Sequence, residues 1–268
     1  MKISTFQFRG SDTIKENLLA LERGIEAAAR ANTRLLLTQE CALCGYPPLE
    51  ISGISKIDFE ELDFATTQIE ELARENMLYI ALGTIQRMKD QYFNSVELIA
   101  PDGKKLPPYH KRALWGWDAE NFVPGQSSGI YTIDSMKVGI RICYEVRFPE
   151  YFRELFKQGV EIALVSFCDV SHEEDESRYE VIRSHLITRA VENAMFCLSA
   201  NSLSNLQTAP TCVINPDGIV LRSAPRNEEC LLTVEVEQDD ANMGRAGRIK
   251  HSRELVGIER RSRFGCGI

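Results

Sequence analysis

Residues 138–150 read VGIRICYEVRFPE, and this stretch decides the architecture that the sequence predicts. Its first part is a short apolar run of the kind that forms a buried strand, and Pro149 stands where a helix would begin. Cys143 therefore lies in a turn that leads from a strand into a helix. Such a turn exposes a side chain and directs backbone N–H groups towards a developing negative charge.

A second buried-type strand, RLLLTQE at 34–40, ends on Glu40 much as the first ends near Cys143. Helical and strand-like patterns alternate around each of them, and Pro-Asp-Gly turns at 101–103 and 216–218 each predict a hairpin. This repeat predicts an α/β fold, a four-layer α-β-β-α sandwich built from two similar sheet-plus-helix halves. Because ligands collect beyond the carboxyl ends of such strands, we expect Glu40 and Cys143 to meet at one cleft.

The composition favours a single domain over residues 1–268, with 238–268 as a C-terminal tail that we expect to contact another subunit. The formal net charge of -8 is opposite to the basic surface that nucleic-acid binders carry. The N-terminus lacks the apolar centre of a secretory signal, and no apolar run approaches the ~20 residues that span a bilayer. We therefore expect a cytoplasmic protein whose eight cysteines are reduced thiols.

Other chemistries have weaker support in the sequence. Cys41 and Cys44 form a CxxC pair that could suggest a metal knuckle or redox site, but a zinc knuckle needs a second ligand pair, which is missing. The four histidines, at 110, 172, 185 and 251, are scattered, and no glycine-rich phosphate loop is present. The sequence predicts neither a metal nor a cofactor.

Four stretches, in the same order, resemble the nitrilase (carbon-nitrogen hydrolase) superfamily, and the similarity runs from about residue 1 to about residue 237. Together they are specific, although each is short. They are LLLTQECALCGYPP at 35–48, PPYHKRALWGWDAENFVPG at 107–125, VGIRICYEVRFPE at 138–150, and LITRAVENAMFCLSAN at 186–201 followed by VINPDGIVL at 213–221.

Carried over residue by residue, the resemblance implies that Glu40 is the general base, Lys111 the cation near thiol and oxyanion, and Cys143 the nucleophile. This assignment makes chemical sense, because a lysine favours thiolate and a glutamate can move the proton from thiol to leaving amine. The backbone N–H of Tyr144 is the natural second oxyanion donor. Glu145 stands where the family usually has aspartate, and either a polar contact to substrate or a structural hydrogen bond to the turn would suit it.

The family commonly has a second acid that braces the lysine. The spacing from Glu120 to Gly125 resembles that of aliphatic amidases, an amidase-type branch, whereas other branches place the acid two positions earlier, which here is Asp118. We expect Glu120, whose longer side chain matches the family's, while Asp118 would cap a turn.

The resemblance implies a hydrolase that cleaves a non-peptide C–N bond of a small amide through a cysteine thioester, releasing ammonia or an amine and a carboxylic acid. An N-carbamoyl compound or a nitrile is the alternative substrate. A non-catalytic scaffold or binding protein with the same fold is the rival from another class. The resemblance also implies a homodimer or larger homo-oligomer, with no nucleic-acid or membrane partner.

Overall fold

Two six-stranded mixed sheets form the framework of the protein in a computed structural model, which describes residues 1–237 and 241–258. The strands are β1 (Lys2–Gln7), β2 (Leu35–Leu37), β3 (Tyr79–Met88), β4 (Gln91–Ile99), β5 (Tyr109–His110), β6 (Ile130–Ile133), β7 (Met136–Ile142), β8 (Ile162–Phe167), β9 (Phe196–Asn201), β10 (Cys212–Ile214), β11 (Val220–Ser223) and β12 (Cys230–Glu235). The helices are α1 (Ile14–Arg30), α2 (Phe59–Glu75), α3 (Trp117–Asn121), α4 (Pro149–Lys157), α5 (Glu176–Asn193) and α6 (Met243–Leu255).

The first sheet has the order β12-β1-β2-β3-β4-β5 and the second the order β11-β10-β9-β8-β7-β6. In each sheet three neighbouring strands run parallel, β1-β2-β3 in the first and β7-β8-β9 in the second, and antiparallel strands flank them. The first sheet is closed by β12, which pairs with β1 from Lys2↔Glu235 to Gln7↔Cys230. That sheet therefore contains a strand from the second half of the chain.

Three clusters of buried apolar side chains define the layers. One lies between α1, α2 and the first sheet, one between the two sheets, and one between the second sheet and helices α4 and α5. The alternation of side chains along each strand supplies both faces of each sheet, as a sandwich covered by helices requires. The predicted four-layer α-β-β-α sandwich is confirmed.

The hairpin predicted around 101–103 is confirmed, and it joins β4 to β5. Beyond the Pro-Asp-Gly turn the chain runs back antiparallel to β4, with an Ile99↔Lys105 bridge, a backbone hydrogen bond from Leu106 to the carbonyl of Leu98 at 2.8 Å, and then the pairing of β5 with β4. Two prolines, Pro107 and Pro108, follow Leu106 and cannot donate backbone hydrogen bonds to a ladder. β4 also pairs along its length with β3, through a turn at residues 89–90. The second Pro-Asp-Gly turn likewise joins a hairpin, β10 to β11.

The C-terminal segment begins after β12. Of the predicted tail, residues 238–240 and 259–268 lie outside the described residues, and most of the remainder forms α6, which contacts α5. No helix within the described ranges has the length and apolar character to cross a membrane.

Candidate active site

Cys143 follows β7 directly and is the first residue of a short 3-10 helix, Cys143–Arg147. Its backbone φ is +45°, in the left-handed region that costs a non-glycine residue about 1–3 kcal/mol. As a residue Cys143 is partly exposed, whereas Cys41, Cys44 and Cys168 are buried. This strained conformation accompanies a sharp turn of the chain at the end of β7, and the side chain of Cys143 lies at that turn.

Glu40 lies three residues beyond the end of β2, and its side chain is 1% exposed. Its Oε1 accepts hydrogen bonds from Lys111 Nζ and Asn94 Nδ2, both at 2.7 Å, and its Oε2 accepts one from the backbone N–H of Cys168 at 2.9 Å. The N–H of Glu40 donates to the carbonyl of Phe167 at 3.2 Å. Since Phe167 ends β8, these bonds join the loop after β2 to the neighbouring sheet.

Close backbone contact also fixes the loop that carries Glu40. A Cβ atom added to Gly83 on β3 would lie 1.9 Å from the carbonyl oxygen of Gln39, far inside van der Waals contact. A glycine is required at this point because no side chain fits between the strand and the loop.

Lys111 follows β5 and is anchored by its backbone N–H, which donates to the carbonyl of Asn94 at 2.8 Å. Its side chain is 2% exposed, and Nζ donates to Asp118 Oδ2 at 2.6 Å as well as to Glu40. The other oxygen of Asp118, Oδ1, accepts from the hydroxyl of Tyr46 at 2.6 Å. One buried ammonium is therefore held between two buried carboxylates.

Glu120 does not take the bracing position that we expected for it. Asp118 does, and Glu120 is exposed on the same short helix, α3. Residues two apart on a helix differ by about 200° in direction, so a helix that turns Asp118 inward must turn Glu120 towards solvent. The structure therefore places the carboxylate of Asp118, rather than that of Glu120, against Lys111 Nζ.

Burial and mutual charge set the protonation of this cluster. Burial raises the pKa of the Cys143 thiol well above its ordinary value, Glu40 raises it further, and Lys111 lowers it. Burial also raises the pKa of Glu40, against the effect of Lys111. Burial alone would lower the pKa of Lys111, but Glu40, Cys143 and Asp118 hold it well above the ordinary value. Lys111 thus lowers the pKa of the thiol, while burial and Glu40 raise it.

The two residues after the nucleophile have different surroundings. The ring of Tyr144 is partly exposed and stacks on Trp115 at 6.0 Å, and its backbone N–H lies in the first turn of the 3-10 helix. Glu145 is fully buried, and its carboxylate accepts from the hydroxyl of Tyr109 and from the N–H groups of Arg112, Ala113 and Ile142. These contacts fit a structural hydrogen-bonding role at the turn better than a contact with substrate, the other role that the sequence left open for Glu145.

Asn94 and Tyr46 contribute to the site without having been recognised in the sequence. Asn94 is buried on β4 and links the side chain of Glu40 to the backbone of Lys111, and Tyr46 anchors Asp118. The only signal for Asn94 is a polar residue within a strand whose neighbours are mostly apolar. The described residues contain no group of three or more His, Cys, Asp or Glu side chains that could hold a metal, and Cys41 and Cys44 are free thiols.

The sequence of this chain is similar to those of known amidases. The family model described as carbon-nitrogen hydrolase matches residues 2–245. An (R)-stereoselective amidase from a Pseudomonas species is 26% identical over 85% of this chain and 82% of its own length. The 2-oxoglutaramate amidase of Bacillus subtilis is 24% identical, over 84% of this chain and 86% of its own.

The fold is shared with solved structures. An amidase from Nesterenkonia sp. AN1, a mutant in complex with butyramide, superposes with a TM-score of 0.81 at 23% identity, covering 96% of both chains. Another structure of that amidase has the acetamide moiety of fluoroacetamide covalently added at its active-site cysteine, with a TM-score of 0.81 at 23% identity over 96% of this chain and 95% of the other.

Proposed function

This chain belongs to the carbon-nitrogen hydrolase family of the nitrilase superfamily, and on that premise we propose that it hydrolyses a small amide through a thioester on Cys143. The observation that carries the proposal is the buried cluster of Glu40, Lys111 and Asp118 within electrostatic reach of the Cys143 thiol. A candidate base, a candidate cation and a candidate nucleophile thus come from three separate segments of the sequence. The amidases among its relatives support an amide as the substrate.

In the first step Glu40 takes the proton of the Cys143 thiol as sulfur attacks the amide carbonyl carbon. The carbonyl π electrons move onto oxygen, and Lys111 Nζ together with the N–H of Tyr144 stabilises the resulting oxyanion. The raised pKa of the thiol means that proton transfer accompanies attack, because a free thiolate is scarce at neutral pH. The raised pKa of Glu40 makes it a stronger base than an exposed glutamate.

In the second step the tetrahedral intermediate collapses. Protonated Glu40 gives its proton to the departing nitrogen, the C–N bond breaks, and ammonia or an amine leaves a thioester on Cys143. Water then attacks the thioester carbonyl while Glu40 accepts one of its protons, and that proton passes to the sulfur as the C–S bond breaks. The carboxylic acid is released and both residues return to their starting states.

Lys111 must stay charged and in place through all these steps. Asp118 contributes a second carboxylate that holds the ammonium, and Tyr46 in turn fixes Asp118. Asp118, Tyr46 and Asn94 are therefore positioning residues in this mechanism. Glu145 shapes the turn at the nucleophile through its buried hydrogen bonds.

Ammonia release tests the proposal. A panel of small primary amides, N-carbamoyl amino acids and nitriles is incubated with the wild type, Cys143→Ala and the control Cys230→Ser, which alters another partly exposed cysteine. We expect release from one or more amides, lost in Cys143→Ala and kept in Cys230→Ser. Added hydroxylamine should intercept the thioester as a hydroxamate.

The alternatives give different results in the same assay. Ammonia release from carbamoyl compounds or nitriles, but from no amide, would change the proposed substrate class and leave Cys143 as the proposed nucleophile. Amide hydrolysis that survives Cys143→Ala would overturn the mechanism. No turnover and no acylated Cys143 with any compound would favour the non-catalytic scaffold.

We further propose that the protein assembles into homodimers or larger homo-oligomers through its outer helices and tail. In the described part of the tail, Met243, Leu255 and Ile258 expose large apolar side chains, a pattern that favours contact with another subunit. Sedimentation of the full chain in dilute solution should give a mass of at least two subunits, and a monomer would contradict the proposal.

A further inference from the structure

A polar cavity of about 310 Å³ lies between α2 and the outer face of the first sheet, and we call it the α2 pocket. Thr84, Gln86 and Glu97 line it from the sheet, Asp63 from α2, and Lys105 from the loop after β4. Glu97 pairs with Leu82, whose side chain belongs to the apolar layer under the helices, so these strand residues face α2. The catalytic cluster lies on the other side of the sheet.

Three buried oxygens in the α2 pocket accept no hydrogen bond from the part of the chain that the structure describes. They are Thr84 Oγ1, Gln86 Oε1 and Glu97 Oε2, and the residues Thr84 and Glu97 are only 2% and 5% exposed. Gln86 Nε2 donates to the other oxygen of Glu97, Oε1, which fixes the orientation of the amide and leaves its carbonyl oxygen unpartnered. Native proteins rarely leave buried polar atoms unpaired, so each of these oxygens requires an explanation.

Three carboxylates and two cations surround the pocket, which leaves a small surplus of negative charge. Glu97, Glu70 and Asp63 stand against Lys105, whose Nζ lies 3.1 Å from Glu70 Oε1 and 3.8 Å from Glu97 Oε2. Burial raises the pKa of Glu97, Lys105 opposes the shift, and Glu70 and Asp63 add to it. Arg87, which also lines the pocket, lies with its guanidinium over the ring of Phe59.

We propose that the α2 pocket binds a hard inorganic cation, such as Ca²⁺ or Na⁺, through Glu97 Oε2, Gln86 Oε1 and Thr84 Oγ1. Carboxylate, amide and hydroxyl oxygens are the ligands that such cations prefer, with water completing the coordination. A cation here satisfies the three oxygens and offsets the surplus negative charge. The site uses an amide and a hydroxyl, so it is of a different kind from a cluster of three His, Cys, Asp or Glu side chains.

The α2 pocket also has a structural link to the catalytic cluster. Asn94, which donates to Glu40, lies on β4 three residues before Glu97 and on the opposite face of the strand. A cation held by Glu97 therefore fastens β4 to β3 directly behind the residue that positions the general base. We expect cation binding mainly to stabilise the fold and to change activity by less than about twofold.

Thermal unfolding tests the proposal. Chelator-treated full chain is titrated with CaCl₂, MgCl₂, NaCl or KCl at constant ionic strength, with choline chloride as the balancing salt. We expect Tm to rise by about 5 °C at a hundredfold excess of the preferred cation over its Kd. Isothermal titration with the same salt should give one site per chain.

Variants locate the site. Glu97→Gln and Thr84→Val keep the side-chain shapes, and each should abolish or strongly reduce the cation-dependent shift. The control Glu71→Gln, an exposed residue on α2 that pairs with Arg74, should keep it. Lys105→Met removes a competing ammonium, and we expect it to bind the cation at least tenfold more tightly.

Two outcomes would overturn the proposal. One is an unchanged Tm with every cation for both the wild type and Lys105→Met, which would mean that water and Lys105 alone fill the pocket. The other is a cation-dependent shift that survives in both Glu97→Gln and Thr84→Val, which would place the cation elsewhere.

Discussion

Replacing Asp118 by asparagine should impair catalysis while leaving the shape of the site intact. The introduced amide would keep an oxygen for the Tyr46 hydroxyl, but Lys111 Nζ would lose the carboxylate that it contacts at 2.6 Å. A hydrogen bond between charged groups contributes about 1.5–3 kcal/mol. If that energy serves to hold Lys111 against the oxyanion, kcat/KM falls about ten- to hundredfold, since each 1.36 kcal/mol is about tenfold in rate.

The same substitution should move the pH profile. The charge of Asp118 raises the pKa of Glu40, so removing it lowers that pKa. Glu40 acts as a base only when ionised, and activity is lost as the pH falls through its pKa. We therefore expect the acid limb of kcat/KM in Asp118→Asn to shift to lower pH, a change that a purely structural defect would not produce.

The assay is initial-rate ammonia release across pH with whichever amide the wild type hydrolyses best. Glu120→Gln is the matched control, because it neutralises an acid on the same helix that faces solvent. It should keep kcat/KM within about twofold of wild type and leave the acid limb in place. If Glu120→Gln reproduced the loss, or if Asp118→Asn retained wild-type rates and limb, the assignment of Asp118 as the bracing acid would be refuted.

Three further results are expected. Asn94→Ala removes a hydrogen bond to Glu40 at 2.7 Å and should lower kcat about tenfold, with less change in KM, as measured by steady-state kinetics. In the wild type the midpoint of the acid limb of kcat/KM should lie at a higher pH than the ordinary pKa of a glutamate, because burial raises the pKa of Glu40. A midpoint at or below that ordinary pKa would contradict this expectation. Glu145→Ala leaves four donor groups without their acceptor and should cost about 3–5 kcal/mol of unfolding free energy in denaturant melts, whereas exposed Glu150→Ala should cost under about 0.5 kcal/mol.

The architecture could be predicted because its signals are local. The apolar runs that became β2, β7 and β8 are short and bounded, and the helices between them have clear apolar faces. Their repetition in the two halves was enough to predict the layers. The Pro-Asp-Gly turns marked one hairpin in each half, whereas the turn at residues 89–90 that joins β3 to β4 contains neither proline nor glycine to mark it.

The candidate site was predictable to the extent that its chemistry depends on side chains in recognisable segments. Glu40, Lys111 and Cys143 were proposed in this way, and they lie close enough in the structure to influence one another's charge. Spacing could not choose between Asp118 and Glu120, since the choice depends on which side of a five-residue helix faces inward. The backbone N–H of Cys168, which holds Glu40, has no side-chain signature at all.

The pairing of β1 with β12 has a consequence for how the protein is made. Within the described residues β1 is translated before the other strands of the two sheets, yet one of its two neighbours is β12, the strand translated last among them. Until that segment is translated, β1 has an open edge, and unpaired edges promote association between nascent chains. The interval between synthesis of β1 and of β12 is thus the period in which this chain most needs a chaperone.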